Sequence, residues 1–427
     1  MLNPTENELL SRVGAGTEMG EYVRRFWVPC LLSEEIPTPD SPPVRVRIYG
    51  EEMVAFRETS GKVGLLDRYC PHRLASLFFG RNEEGGLRCA YHGWKFDVSG
   101  ACVDMPSEPA DSNFAAKVTV RSYPVREAGG VIWGYLGPAG TEPPLPELTW
   151  ASVPEAHRYV SKTLQRGNWT QALEGGIDSS HISFLHAPLD KSTFRVGIVD
   201  ESLRTQAMVD PAPRYFVDET PYGARFAARR TTDTGDYYWR ITQWLLPFYQ
   251  VIPAEPNAVV TGNCYVPMDD ENTLVFRVSW HQERALTAAE RHELKNGGFF
   301  HAARIPGTYL PTQNRENDYL IDREVQRTLT FSGIHGIQAQ DQAMLENMKG
   351  GPIADRRFEH LGTSDMAIIT ARRRLLREAK ALADGVEPAA PQDGAAYGAR
   401  SASVRLAPGV AWEEAAAAML APRTQRV

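Results

Sequence analysis

The chain has 427 residues, too many for one simple core, and its 42% hydrophobic content can fill two. A net charge of −7 gives no electrostatic case for nucleic acid. Five cysteines make an odd set without a disulfide framework. No apolar run reaches membrane-spanning length, and MLNPTENELLSRVGAG lacks the basic and apolar regions of a signal peptide. These features predict a soluble cytoplasmic chain with no membrane partner.

Residues 1–43 read as a short helix followed by an extended arm. From Val44 the alternation of Val44, Val46 and Ile48, then Val54 and Phe56, with turn signals at Gly50 and Gly61, predicts short antiparallel strands. This β-rich stretch runs through VIWGYLGP into the Pro-rich segment GPAGTEPPLPEL, which places a domain boundary at residue 148. Helices and strands then mix, so residues 149–382 read as an α+β domain. From Ala383 the composition turns to Ala, Pro and Gly, predicting a linker and arm over 383–427 with a short helical pattern at AWEEAAAAML.

Inside the β-rich stretch, Cys70-Pro71-His72 and Cys89-Ala90-Tyr91-His92 each offer one thiolate and one imidazole. Zinc accepts the same donors, but its sites usually pair Cys with Cys and His with His in separate turns. Two mixed pairs suit a Rieske [2Fe–2S] cluster, in which two Cys hold one iron and two His the other. Cys30, Cys102 and Cys264 are scattered and read as ordinary reduced thiols.

The second constellation is NWTQALEGGIDSSHISFLHAP, from Asn168. Leu173, Ile177, Phe184 and Leu185 have helical spacing, and His181 falls on their face. Alone, such a histidine is more often a satisfied core residue than a ligand. Asp178, three residues earlier, is a neighbour on a helix surface. His186 is about 140° further round an ideal helix, so the helix must unwind or bulge before Pro188 if both imidazoles are to share a metal. Two imidazoles and one carboxylate make a common metal-binding triad, so a third ligand is sought elsewhere in the chain. GIHGIQAQDQAMLENMKG reads as a helix on which Asp341 shares a face with Met344, Leu345 and Met348. A carboxylate there is costly unless metal-bound or in a buried salt bridge, the other reading of Asp341. Glu346 is rotated away, towards solvent.

The run CPHRLASLFFGRNEEGGLRCAYHGW and the D-x-x-H-x-x-x-x-H segment together resemble the Rieske non-heme iron ring-hydroxylating oxygenases. MGEYVRRFWVPCLLSEEIP, ENDYLIDREVQR and FSGIHGIQAQDQAM extend the resemblance over nearly the whole chain, to the phthalate dioxygenase branch. Respiratory Rieske proteins carry an extra Cys in each loop and a Ser after the second His. Ala75, Ala90 and Trp94 stand at the comparable places, which implies a potential towards the low end of the Rieske range. Leu74 is a slight departure from the family pattern.

The resemblance implies an α+β fold. An N-terminal antiparallel β Rieske domain (44–148) precedes a catalytic domain (149–382) with a central antiparallel sheet, on which the N-terminal arm packs. It implies a cluster on Cys70, His72, Cys89 and His92, mononuclear Fe(II) on His181, His186 and Asp341, and O₂ as co-substrate. It also implies an NADH-dependent flavin/iron–sulfur reductase and a homotrimer or stacked trimers in which the cluster of one subunit serves the iron of its neighbour. Asp178 is the candidate for that crossing; the alternative is a helix-terminal or solvent carboxylate.

An aromatic carboxylate substrate calls for an arginine fork. Arg240 alternates with Tyr238, Thr242 and Trp244 on one strand face and leads the candidates. Arg225 and Arg229 share a face of the preceding strand, Arg204 and Arg214 are weaker, and Ser179 adjoins the iron ligands. Three functions follow: dioxygenation of phthalate or a substituted benzoate; monooxygenation or O-demethylation of a methoxy- or phenoxy-arene carboxylate; or electron transfer without catalysis. The length of the chain and the D-x-x-H-x-x-x-x-H segment argue against the third.

Overall fold

The computed structural model describes residues 2–109, 111–190, 209–298 and 300–422. The chain forms two compact units, Arg24–Leu145 and the combination of Met1–Val23 with Pro146–Val427. The domain breaks thus fall at 23/24 and 145/146 rather than 43/44 and 148/149. The first shift has a clear cause: Trp27–Leu32, expected in an arm, is a fully buried strand paired with Val131–Tyr135.

The Arg24–Leu145 unit holds three small antiparallel sheets. The strands Val44–Ile48, Glu51–Arg57 and Val63–Asp67 form one, as the alternation predicts. Two-residue turns at Tyr49-Gly50, Glu84-Gly85 and Gly129-Gly130 have positive φ at both positions, the geometry whose twist matches paired strands. Val54, Phe56, Leu66, Leu77, Leu87 and Phe96 pack with Cys70 and Cys89 in one core, so both Cys/His loops are rooted in apolar packing.

The other unit is built on an eight-stranded antiparallel sheet. From one edge its path runs Arg158–Gln165, Thr273–Trp280, Val260–Pro267, Tyr249–Val251, Tyr237–Leu245, Gly223–Thr231 and Arg214–Thr220. The eighth strand, Ala402–Leu406, pairs with residues 237–241, while Tyr249–Val251 pairs with 243–245. The segment expected to be a linker and arm is therefore part of the sheet. Trp412, Ala416 and Leu420 beyond it pack against Ala227, Trp239 and Ile241 on one sheet face.

On the opposite face the pairing aligns Arg230 with Tyr238, Trp244 with Gln250, and Asn263 with both Gln250 and Arg277. The helices Trp169–Ile177 and Ile337–Leu345 pack together, and the first also packs on Val260–Pro267. Glu174 anchors the first helix: it is buried, pairs with Arg372 at 2.8 Å and Arg356 at 3.3 Å, and is flanked by the long helix Met366–Ala383. Burial pushes the Glu174 carboxyl up, but the two guanidiniums outweigh this and hold it below the usual range. Among the described residues no helix is long and apolar enough to cross a membrane.

Candidate metal centres

The two Cys/His loops repeat one backbone pattern. Cys70 N–H donates to Ala75 O, and Leu74 N–H returns to Cys70 O, both at 2.9 Å. Cys89 N–H donates to Trp94 O at 2.8 Å, and Gly93 N–H returns to Cys89 O at 3.0 Å. Each loop closes through a left-handed residue at the fourth position after its cysteine, Leu74 (φ 57°) and Gly93 (φ 80°). The two positions differ in tolerance. Leu74 is 72% exposed, whereas a Cβ on Gly93 would lie 2.7 Å from Pro106 Cγ.

The His72 and His92 rings stand 4.4 Å apart, and Trp94 stacks on His72 at 4.3 Å. A hydrogen bond between the two thiols, helped by burial, raises Cys70. The same bond lowers Cys89, with the amides of Tyr91 and His92 adding to it. His72 Nδ1 is buried with no partner among the described residues. Two thiols competing for one proton, amides aimed at sulfur and an orphaned imidazole nitrogen fit an anionic iron–sulfur group. All five cysteines are buried, and none forms a disulfide among the described residues.

The helix expected through His186 ends instead at Ile177, with Asp178 extended as its C-cap. The chain then makes a short 3₁₀ turn over His181–Ser183. Asp178 still meets His181, but as the organiser of this turn rather than as a helix-surface neighbour. Its Oδ1 accepts from Ser180 N–H at 2.6 Å, and its Oδ2 lies 3.1 Å from His181 Nδ1. Burial opposes ionisation of Asp178, yet His181 and the turn amides overcome it and lower the carboxyl. Ending the helix brings the two imidazoles together, with Nε2 atoms 3.1 Å apart.

Asp341 completes the group: its Oδ1 lies 3.2 Å from His186 Nε2 and 3.6 Å from His181 Nε2. Donors held at about 2.1 Å from one ion at right angles would be about 3.0 Å apart, so these separations suit a shared metal. The far ring nitrogens are tied down too. Gln340 Nε2 donates to Ile334 O at 2.7 Å, which turns its Oε1 to His186 Nδ1 at 2.6 Å. With Nδ1 protons held by Asp178 and Gln340, both Nε2 lone pairs face Asp341, an arrangement that a cation resolves. Desolvation pushes Asp341 up, but His186, His181 and Arg277 leave it lowered overall.

Other readings of this helix change. Met344 is 48% exposed, and the buried positions include Gln338, Gln340 and Gln342, so Asp341 does not sit on an apolar stripe. Glu346 is buried, accepting from Tyr319 O–H at 2.7 Å and Arg166 N–H at 2.9 Å. It braces the helix rather than meeting solvent.

The three donors line a cavity of about 760 Å³, counting its open mouth. Arg240, Thr242 and Ser179 line it as well. Arg240 is 8% exposed; among the described residues its Nε has no partner, and its Nη1 reaches Tyr238 O–H at 3.5 Å. Arg225 and Arg229 are not at the cavity. They align with Gln243 and Trp239, on the face opposite Arg240. There Arg225 pairs with Asp218, and Arg229 lies 4.1 Å over the Tyr237 ring. Arg214, on the edge strand, is exposed and is not at the cavity, and Arg204 lies outside the described residues.

Sequence reasoning missed Arg230, Arg277 and Gln340. The two-residue period of the strand would have found Arg230, since it shares the face of Arg240. The one charge in the strand TLVFRVSW marks Arg277, whose Nη1 donates to Phe300 O at 2.6 Å at the cavity wall.

Comparison with known proteins accounts for both halves of the chain. Residues 26–124 match the Rieske [2Fe–2S] domain family, and residues 134–404 match the family described as LigXa C-terminal domain like. The 3-chlorobenzoate-3,4-dioxygenase oxygenase subunit of Comamonas testosteroni is 40% identical, covering 96% of both chains. The phthalate 4,5-dioxygenase oxygenase subunit of Pseudomonas putida is 41% identical over 88% of this chain and 86% of its own. The crystal structure of dicamba monooxygenase bound to dicamba shares the fold, with a TM-score of 0.57 at 17% identity over 85% of this chain and 99% of that one. Matched along nearly their full lengths by such oxygenase subunits, these 427 residues belong to the Rieske non-heme iron ring-hydroxylating oxygenases, on their phthalate dioxygenase branch.

Proposed function

We propose that the protein hydroxylates an aromatic carboxylate, phthalate or a substituted benzoate, to a cis-dihydrodiol. The observation that carries this reading is Arg240, a buried guanidinium whose Nε has no partner among the described residues, in the same cavity as the His/His/Asp group. A carboxylate is the ligand that a planar guanidinium matches with two parallel hydrogen bonds. The two relatives at about 40% identity are named for such acids.

Oxygenases of this family use a Rieske [2Fe–2S] cluster, mononuclear iron and O₂. In this reading Cys70 and Cys89 hold one cluster iron, His72 and His92 the other, and His181, His186 and Asp341 hold the mononuclear iron. When bound, that iron supplies open positions for O₂ activation beside the substrate. The rest falls to the protein's own side chains. Asp178 and Gln340 keep a proton on each Nδ1, so the ligating tautomer needs no rearrangement. Arg240 receives the carboxylate, while Ile182, Ile337 and Phe300 wall the ring and exclude water.

Asp178 retains 18% of its side-chain surface. In a homotrimer or stacked trimers it would accept a hydrogen bond from a cluster histidine of the neighbouring copy. An NADH-dependent flavin/iron–sulfur reductase would supply the electrons.

The test is oxygen uptake on a panel of phthalates, benzoates and methoxyarene acids with a reductase supplied, followed by product analysis with labelled O₂. Two labelled oxygens on one ring support the proposal. One labelled oxygen with released aldehyde would reassign the chain to demethylation. Two irons per chain instead of three would leave only electron transfer.

A further inference from the structure

The turn that carries His181 has no helix to hold it, and one side chain from the sheet takes the place of one. Arg230, at 0% exposure on the Gly223–Thr231 strand, reaches four acceptors. Its Nε donates to Asp210 O and its Nη1 to Ser179 Oγ, both at 3.1 Å. Its Nη2 donates to Ser179 O and to Ser183 Oγ. Among the described residues no carboxylate pairs with this guanidinium. Every described acceptor is neutral, and burial lowers the Arg230 pKa to about 10. A buried cation with no carboxylate bonded to it, and only Asp210 acting on it from nearby, is costly, so its donors meet a need in the turn.

That need is visible at Ser179, which is 5% exposed and lines the cavity. A serine hydroxyl has one proton to give and two lone pairs. Ser179 Oγ accepts from Arg230, and no described residue accepts the Ser179 proton. Its backbone is fixed on both sides, N–H donating to Tyr215 O–H at 2.6 Å and O accepting from Arg230. With one lone pair occupied by a cation, the hydroxyl is left as a donor that no described residue satisfies.

We propose that Arg230 is a positioning residue that makes Ser179 an obligatory hydrogen-bond donor to the substrate carboxylate, in the same turn that presents His181. Arg230 does not line the cavity and touches no substrate; it acts through Ser179. The inference rests on the aromatic-carboxylate reading above, and it adds a second, neutral donor to the charged one at Arg240.

The experiment is calorimetric titration of phthalate, under argon, into the iron- and cluster-loaded protein and its variants. Ser179→Ala and Arg230→Met should each raise Kd about ten-fold, the effect of one hydrogen bond to a charged group. The double variant should be within about two-fold of the weaker-binding single, because both remove the same contact. Arg230→Lys, which keeps the charge and part of the donor set, should fall between. The cluster absorption spectrum should be unchanged throughout. If the double variant shows the product of the two single effects, or if Arg230→Met and Arg230→Lys lower Tm without changing Kd, Arg230 is structural and the proposal falls. If the unmodified protein binds neither phthalate nor benzoate, the substrate reading itself fails, and the donor role of Ser179 with it.

Discussion

In the Arg24–Leu145 unit the cluster donors sit on two loops that repeat the same pair of backbone hydrogen bonds. In the other unit the donors come from the 178–186 turn and a helix far along the chain; His186 and its partner Gln340 are 154 positions apart. The first centre is encoded locally, by spacing and by two left-handed residues. The second is assembled by tertiary structure, and side chains such as Asp178, Gln340 and Arg230 do what backbone does in the first. Local damage should therefore abolish one centre and spare the other.

The largest effect is expected at Asp341. Asp341→Ala should abolish turnover and mononuclear iron retention while the [2Fe–2S] absorption stays intact; His72→Ala or His92→Ala should do the reverse. Metal analysis beside the visible spectrum reads both. An Asp341→Ala protein with normal iron and activity would remove it from the ligand set.

Next comes Asp178→Asn, which keeps the shape but not the charge. Both centres should load, and cluster reduction by the reductase should stay near normal. Cluster reoxidation with substrate and O₂ present should slow by orders of magnitude in stopped flow. A carboxylate serving only as a helix-end group would cost about 1 kcal/mol of stability or less and leave that rate alone.

Glu174 tests whether the helix leading to the turn is held from below. Glu174→Gln leaves the buried Arg356 without its anion and Arg372 with Glu359 alone, and should cost roughly 3–5 kcal/mol in denaturant unfolding. Its carboxyl is depressed in the folded state, so its stabilisation is present above the ordinary glutamate pKa, about 4.3. That contribution is lost as pH falls below this value, and Glu174→Gln should flatten that limb of the stability profile.

Substrate charge gives a smaller effect. Arg240→Met should raise KM for aromatic acids about ten- to a hundred-fold, a loss of roughly 1.5–3 kcal/mol, and barely change it for a neutral ester. Equal effects would assign Arg240 to structure.

The smallest effect separates the two matching loops. Leu74→Gly relieves a left-handed leucine but loosens the unfolded chain, so stability should change by less than about 1 kcal/mol. Gly93→Ala meets Pro106 and should weaken cluster retention. Loss of the cluster in both variants would show that the loops are equally constrained.

This division explains what could be read from the amino-acid sequence. The Cys/His motifs, the strands from Val44 to Asp67 and the turns at Gly50 and Gly61 follow from short-range patterns. His181, His186 and Asp341 were legible as residue types, but the conformation joining the histidines was not. The apolar spacing of Leu173 to Leu185 continues a helical pattern past the point where Asp178 ends the helix by capturing the turn amides. Glu346 is buried rather than solvent-facing because its partners, Tyr319 and the Arg166 amide, come from distant segments. Arg225 and Arg229 lie on the strand of Arg230 but one residue out of phase with it, and strand phase depends on which sheet face the final helices cover.

The late strand Ala402–Leu406 has a consequence for biosynthesis. It supplies the partner for residues 237–241, the part of the strand that bears Arg240. Until some 160 further residues have been made, that stretch presents unpaired N–H and C=O groups along one side, a template for another chain. A nascent or truncated chain ending before Ala402 would keep this edge open and should aggregate, even though every metal ligand and Arg240 had already been synthesised.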